Sequence, residues 1–290
     1  MIQDIWPMYE GVPWRANILA GLIPNWKFLV GLWFVLWPGA LSITSVFASS
    51  QITTIRFGSE SFEPFFSSDF KSGIFVELIK EAFSRAEGYQ VEFVKMARKR
   101  IAVDLAKGKI DAGFNIFKSQ ELPNVYISLP FFRWSDFAYY KRESKIKIRD
   151  FSDFKGLSLV TYPNAKQYNG KNFVKMTGML KSYKELAQQD NIGKMLVKDR
   201  ADVVWQDINT ALHTLSVMMK VNVSDYEFVE LQKSAFTYIG FKDEKHRDTF
   251  NEAAVSMMID GTYEKIYQRH QKKFGFVPSS NNIIRLNSHK

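Results

Sequence analysis

The chain has 290 residues, 46% hydrophobic and 24% charged, with no cysteine and a net charge of +9 from 39 Lys+Arg against 30 Asp+Glu. At roughly 150 residues per domain this length accommodates about two domains, and the composition excludes disorder and collagen-like repeats. The missing cysteines exclude a disulfide framework, thiolate zinc sites, iron–sulfur clusters and cysteine nucleophiles; the charge is compatible with nucleic acid, anionic membrane or an acidic ligand and chooses none of them.

The first fifty residues read as an address. No charged residue occurs from Phe28 to Ile55, and Phe28 to Leu41 forms a compact apolar block behind Lys27. Val46-Phe47-Ala48 before Ser49-Ser50 has the small-x-small character of a signal peptidase site, so residues 1–48 are expected to be a signal peptide cleaved after Ala48. The alternative is a membrane anchor through residues 28–48, which are just long enough to span, although Pro38-Gly39 interrupts a continuous helix. Met1 to Asn25 is long for the leading part of a signal; an upstream start codon or a genuine extension would each explain it. Removing residues 1–48 takes away Asp4, Glu10, Arg15 and Lys27 and leaves the charge unchanged.

After the signal, Ile52 to Phe57 alternates like a strand, and Gly73 to Ala86 has apolar residues at helical spacing. Gln90 to Val94 reads as a strand, Arg100 to Lys107 as a short helix and Lys109 to Phe114 as a strand. This alternation predicts an α/β sheet covered by helices. The pattern recurs with a strand over Phe154 to Val160, a helix over Tyr183 to Val197 and a strand over Asp199 to Trp205. Lys141 to Lys147 between the halves is polar and linker-like, Phe236 to Phe241 is a strand, and Asp243 to Lys273 is helical and packs back on the first half. The expected division is residues 49–140 as the first part of lobe 1, 141–236 as lobe 2, 237–276 as the return of lobe 1, and 277–290 as a tail.

Gly108-Lys-Ile-Asp-Ala112, Ser128-Leu-Pro-Phe-Phe132, Asp150-Phe-Ser-Asp-Phe-Lys-Gly156, Asp202-Val-Val-Trp-Gln-Asp207 and Asp260-Gly-Thr-Tyr-Glu-Lys-Ile-Tyr267 occur in that order. Each motif is weak alone, and the ordered set resembles the bacterial extracellular solute-binding proteins of family 3 from about Thr53 to Gly275. The resemblance implies a type II periplasmic-binding-protein fold, two α/β lobes joined by two hinge strands, with crossings near Tyr139–Lys141 and Phe236–Gly240. It also implies a periplasmic monomer without a cofactor, which captures a small polar, amino-acid-like solute for the membrane permease of an ABC transporter. Ligands of open α/β sheets sit beyond the carboxyl ends of strands, which points to the loops 58–66, 115–120, 162–165 and 206–209.

The resemblance assigns Glu60 and Asp207 to a ligand ammonium. An exposed loop carboxylate is the alternative for Glu60, and a helix cap for Asp207. Phe62, Phe65 and Phe117 lie on the cleft-side loops, where aromatic faces could sandwich a ligand group, with core packing as the alternative. Asn164 belongs to the loop 162–165. Arg100 matches a cleft arginine in one branch of the family; a solvated helix face is the default reading. Asp111 and Asp202 match structural positions. The arginine that usually grips the ligand carboxylate through a bidentate pair is replaced by Glu121, so that clamp is either missing or displaced to Lys118 or Arg100, which puts a standard α-amino acid ligand in doubt.

Competing readings are a cyclohexadienyl dehydratase-like enzyme on the same fold, against which the missing arginine weighs, and a sensing module for a separate partner. His213, His246, His270 and His289 form no Ser-His-Asp or His-x-x-x-His arrangement. Basic residues spread along an exported chain do not point to nucleic acid.

Overall fold

A computed structural model describes residues 52–116, 122–233 and 235–274. The expected signal or anchor, the tail, and Phe117, Lys118 and Glu121 lie outside the described residues. Among those described, no helix is long and apolar enough to cross a membrane.

The described chain begins with β1 (Thr53–Ser59), α1 (Ile74–Ser84), β2 (Tyr89–Lys95), α2 (Arg98–Ala106), β3 (Ala112–Ile116), β4 (Tyr126–Ile127) and β5 (Phe132–Arg133). It continues with β6 (Asp136–Lys141), β7 (Ser158–Thr161), α3 (Ala165–Tyr168), α4 (Gly170–Thr177), β8 (Ser182–Glu185), α5 (Ile192–Val197) and β9 (Val203–Asp207). After α6 (Ile208–Leu212), which runs into a π-helical turn over His213–Met218, come β10 (Tyr226–Val229), β11 (Phe236–Phe241), α7 (Glu244–Ile259) and α8 (Thr262–Lys272).

Two sheets result. The first has the order β2-β1-β3-β11-β4, with β5 also paired to β11; the second has the order β10-β6-β9-β7-β8. β1 runs parallel to β2 and β3, and β7 parallel to β8 and β9, as crossover helices require. The repeated Asp of the two halves does the same work in each. Asp111 accepts the backbone N–H of Arg56 at 2.9 Å, and Asp202 accepts that of Ser158 at 2.8 Å.

The crossings between the sheets lie earlier than the sequence suggests. β6 is an interior strand of the second sheet, with Tyr139 opposite both Val204 and Phe228 and fully buried. The first crossing is therefore Trp134-Ser135, and the second falls between Val229 and Phe236. The apolar run 137–140 belongs to a core strand because both of its faces are covered. The two crossings are tied together, since the Trp134 N–H donates to the Ala235 carbonyl at 3.2 Å. In the second lobe the crossover helix is α4, and residues 183–185, expected to open a helix, belong to the edge strand β8. Tyr183 packs edge-on to Phe173 of α4, a tertiary contact that overrides local helical preference.

Aromatic rings fill the first core. Phe65 stacks on Phe75 at 4.5 Å, Phe75 meets Phe114 at 4.4 Å, and Trp134 stands edge-on to Phe65 at 5.2 Å. Gly73, at φ 126°, lets the Phe65 loop lie against the start of α1, since a Cβ there would meet the Phe65 carbonyl oxygen at 2.3 Å. α7 and α8 close over this core, broken at Asp260-Gly261, where the Asp260 carboxylate accepts the Thr262 N–H at 2.8 Å and pairs with Arg85 at 2.6 Å.

Candidate ligand cleft

The carboxyl ends of β1, β3, β7 and β9 converge on the gap between the sheets, with the start of β6 beside β9. The cavity there is lined by Arg98, Asn115, Trp134, Asp136, Tyr162, Tyr168, Asn169, Gln189, Asp207 and Ala235. Two neighbouring concavities continue it, one toward Glu60, Lys99 and Asn164 and the other toward Ser61, Phe62, Asp190 and Lys194.

Asp207 ends β9 and caps α6. One carboxylate oxygen accepts the N–H groups of Asn209 at 2.9 Å and Thr210 at 3.4 Å, and the other accepts that of Ser135 at 3.1 Å. An acid that lines the cavity is thus bonded to the first crossing and also caps α6. Asp136 opens β6 directly opposite it in the ladder. Its carboxylate accepts the Tyr162 hydroxyl at 2.5 Å, which in turn accepts from Asn169 at 2.7 Å. The Asn169 carbonyl takes the indole N–H of Trp205 at 3.1 Å and the Gln232 amide at 2.9 Å.

Both carboxyls are buried, and burial raises both. Asp136 is pushed up to about 7 by desolvation and by the facing Asp207, against the lowering effect of the Tyr162 hydrogen bond. Asp207 is pushed up to about 6 by desolvation, with the Ser135, Asn209 and Thr210 donors pulling the other way. At the mouth, burial raises Glu63 and Asp190, and Asp190 adds to the rise at Glu63.

Glu60 stands at the cleft in an ion pair with Arg98, whose Nε donates to the carboxylate at 2.6 Å. Arg98 is the arginine that lines the cavity. Arg100, the sequence candidate, has a side chain 62% exposed and pairs with Asp104 one turn along α2 at 2.9 Å. Residues two apart on a helix point to nearly opposite faces, so the start of α2 at Arg98 decides which one turns inward. Phe65 is corrected too: it is fully buried in the aromatic core. Phe62 packs on Phe65, Phe66 and Trp134 and reaches the edge of one concavity. Asn164, at φ 63°, borders the other, with its N–H donated to Glu185 at 2.9 Å.

Sequence reasoning placed Tyr162 on a cleft loop and missed Asp136, Trp134, Asn169 and Arg98. It named the loop starting at Asn115 without its cause, a bulge. β11 skips Asn115 between Ile116 and Phe114, leaving it at φ 66° with its side chain bonded to Thr237 at 3.0 Å. Among the described residues no group of three His, Asp or Glu could hold a metal ion.

Residues 55–273 match the profile of the bacterial extracellular solute-binding proteins, family 3. The chain belongs to that family. Its two-sheet architecture is the type II periplasmic-binding-protein fold of the family 3 proteins. An ancestral arginine-binding protein bound to glutamine is similar at 25% identity over 74% of this chain and 96% of its own, with a TM-score of 0.58. Its arginine-bound form gives 25% identity, 74% and 97% coverage and a TM-score of 0.59. The fold is shared by an ABC uptake transporter substrate-binding protein from Streptococcus pneumoniae with bound histidine, at 23% identity, 74% and 91% coverage and a TM-score of 0.60. A comparison with curated protein sequences returned no match.

Proposed function

We propose that this protein is a periplasmic receptor that captures a small polar solute bearing an amino group between its lobes and delivers it to an ABC-type transporter. The observation that carries the reading is Asp207, a buried acid at the carboxyl end of β9 whose second oxygen is bonded to the crossing residue Ser135. Charge arriving at Asp207 is felt where the lobes join, so ligand binding shifts the balance between open and closed forms. Family membership supports the solute-binding role, and the arginine- and glutamine-bound ancestral proteins support an amine-bearing solute. The Asp136–Tyr162–Asn169 chain holds one wall rigid, Trp134 forms another, and Glu60, Phe62 and Asn164 stand at the mouth. Export by cleavage after Ala48 fits the family's extracellular role.

Thermal-shift screening of the purified protein against amino acids, polyamines, opines and small carboxylates tests this. A hit of several degrees that Asp207→Asn abolishes is expected, since Asn keeps a cap acceptor but loses the charge. A hit that survives both Asp207→Asn and Glu60→Ala would remove these residues from the site.

A further inference from the structure

The net charge of +9 concentrates in one stretch of the second lobe. From Phe154 to Lys184 the chain carries Lys155, Lys166, Lys171, Lys175, Lys181 and Lys184 and no arginine, aspartate or glutamate. All six lysines are exposed. Among the described residues none of them forms an ion pair, whereas Arg85, Arg98, Arg100, Lys141 and Arg247 each do.

The fold draws most of these lysines along α4. That helix buries Phe173 and Met176, and at about 100° per residue this turns Lys171, Val174 and Lys175 outward together. Val174 is 44% exposed between the two lysines, which stand one turn apart, a spacing at which like charges repel. Lys166 lies over the Tyr183 ring at 4.6 Å, and Tyr183 is edge-on to Phe173, so Lys166 flanks α4. Beyond the end of α4, Lys155 and Lys181 come together: the Gly156 N–H donates to the Met179 carbonyl and the Lys181 N–H to the Leu157 carbonyl, each at 2.9 Å. Glu185, the first acid after the run, accepts the Tyr183 hydroxyl at 2.6 Å and the Asn164 N–H at 2.9 Å. β8 is the edge of the second sheet, and lysine on an edge strand deters the addition of another strand. That accounts for Lys184, which follows Tyr183 and points to the other face, and for Lys181, but not for Lys166, Lys171 and Lys175 on helices.

The residue types separate two kinds of anionic partner. Protein interfaces are enriched in arginine, whose planar fork grips carboxylates, and depleted in lysine. Lysines without arginine, set around an exposed apolar side chain, suit a fluid layer of anionic headgroups, which asks for positive charge and shallow apolar contact but no fixed geometry. We propose that the outer face of α4, with Lys166, Lys171, Lys175 and Val174 at its centre, is a contact surface for an anionic phospholipid membrane. Lys166 is two residues from Asn164 at the cleft mouth, so the surface runs from the mouth along the second lobe. The role is additional to solute capture and does not depend on it.

Cosedimentation of the purified protein with vesicles of phosphatidylcholine alone, and of phosphatidylcholine with about one third phosphatidylglycerol, tests the inference. Partitioning to the anionic vesicles is expected to be about tenfold tighter or more, and to fall steeply as salt is raised from about 0.05 to 0.5 M. The neutral vesicles measure any contribution of the apolar segment 28–48, and these wild-type readouts do not depend on a variant folding. Lys166→Gln/Lys171→Gln/Lys175→Gln is expected to lose about tenfold or more of the preference. Lys245→Gln/Lys265→Gln/Lys272→Gln removes the same charge from exposed positions on α7 and α8 and is expected to lose less than about threefold. Equal losses in the two variants, or equal partitioning to the two vesicles, overturn the inference. Binding of soluble polyglutamate as tight as that of the anionic vesicles, with the same loss in the α4 variant, assigns the surface to an acidic protein and also overturns it. The receptor reading is untouched by each of these outcomes, because its thermal-shift test reports on the cleft.

Discussion

Asp136 and Asp207, far apart in the chain, face each other across one rung of an antiparallel ladder at the floor of the cleft. The Asp136 carboxylate is held by a tyrosine hydroxyl and that of Asp207 by three backbone N–H groups. Both carboxyls are buried, and burial raises both.

The pair has a pH signature. Both folded-state values, about 7 and about 6, lie above the ordinary 3.8. The stability they contribute is present below about pH 4 and is lost as pH rises through 6 to 7. His213 and His270, lowered by burial, contribute in the opposite direction over part of this range. The useful quantity is therefore the difference between wild type and Asp136→Asn. Urea midpoints of the ligand-free proteins should show Asp136→Asn gaining stability relative to wild type between pH 5 and pH 8. Parallel curves would show that Asp136 ionises normally.

Arg98 and Arg100 should separate cleanly. Arg100→Ala leaves the buried Asp104 carboxylate without its exposed arginine partner, a loss of about 1 to 3 kcal/mol, and leaves ligand affinity within twofold. Arg98→Ala frees the Glu60 carboxylate inside the cleft and should tighten binding of a cationic ligand several-fold at low salt. Calorimetric titration of both variants decides it.

Phe65 belongs to the core. Phe65→Ala should cost about 3 to 5 kcal/mol in chemical denaturation, from lost burial and the cavity left among Phe75, Phe132 and Trp134. At a temperature where the variant remains folded, its ligand affinity should stay within a few-fold of wild type. A selective loss of binding at unchanged stability would return Phe65 to the cleft.

Tyr267 of α8 donates to the Asn209 side chain at 2.8 Å, joining the last helix of the first lobe to the capped start of α6 in the second. Tyr267→Phe should cost about 0.5 to 1.5 kcal/mol of that contact between the lobes. The expected outcome is a larger radius of gyration for the ligand-free protein in X-ray scattering and a weaker ligand affinity, with the ligand-saturated radius unchanged.

Much of this protein was legible in its residues. Strand alternation, helical spacing and the repeated Asp before a β-branched run are local patterns, and local patterns survive without knowledge of the fold. The order of five motifs was enough to place the family, and Asp207 was readable because the strand end and the helix cap meet in one short segment. Tertiary structure decided the rest. Whether Arg98 or Arg100 turns inward depends on where α2 begins, Phe65 is buried by rings from Phe75, Phe132 and Trp134, and Asp136 becomes a cleft residue through its register with β9. Cross-strand register and the packing of distant rings are long-range relations, set by the burial of whole sheet faces and not by the spacing of any one segment.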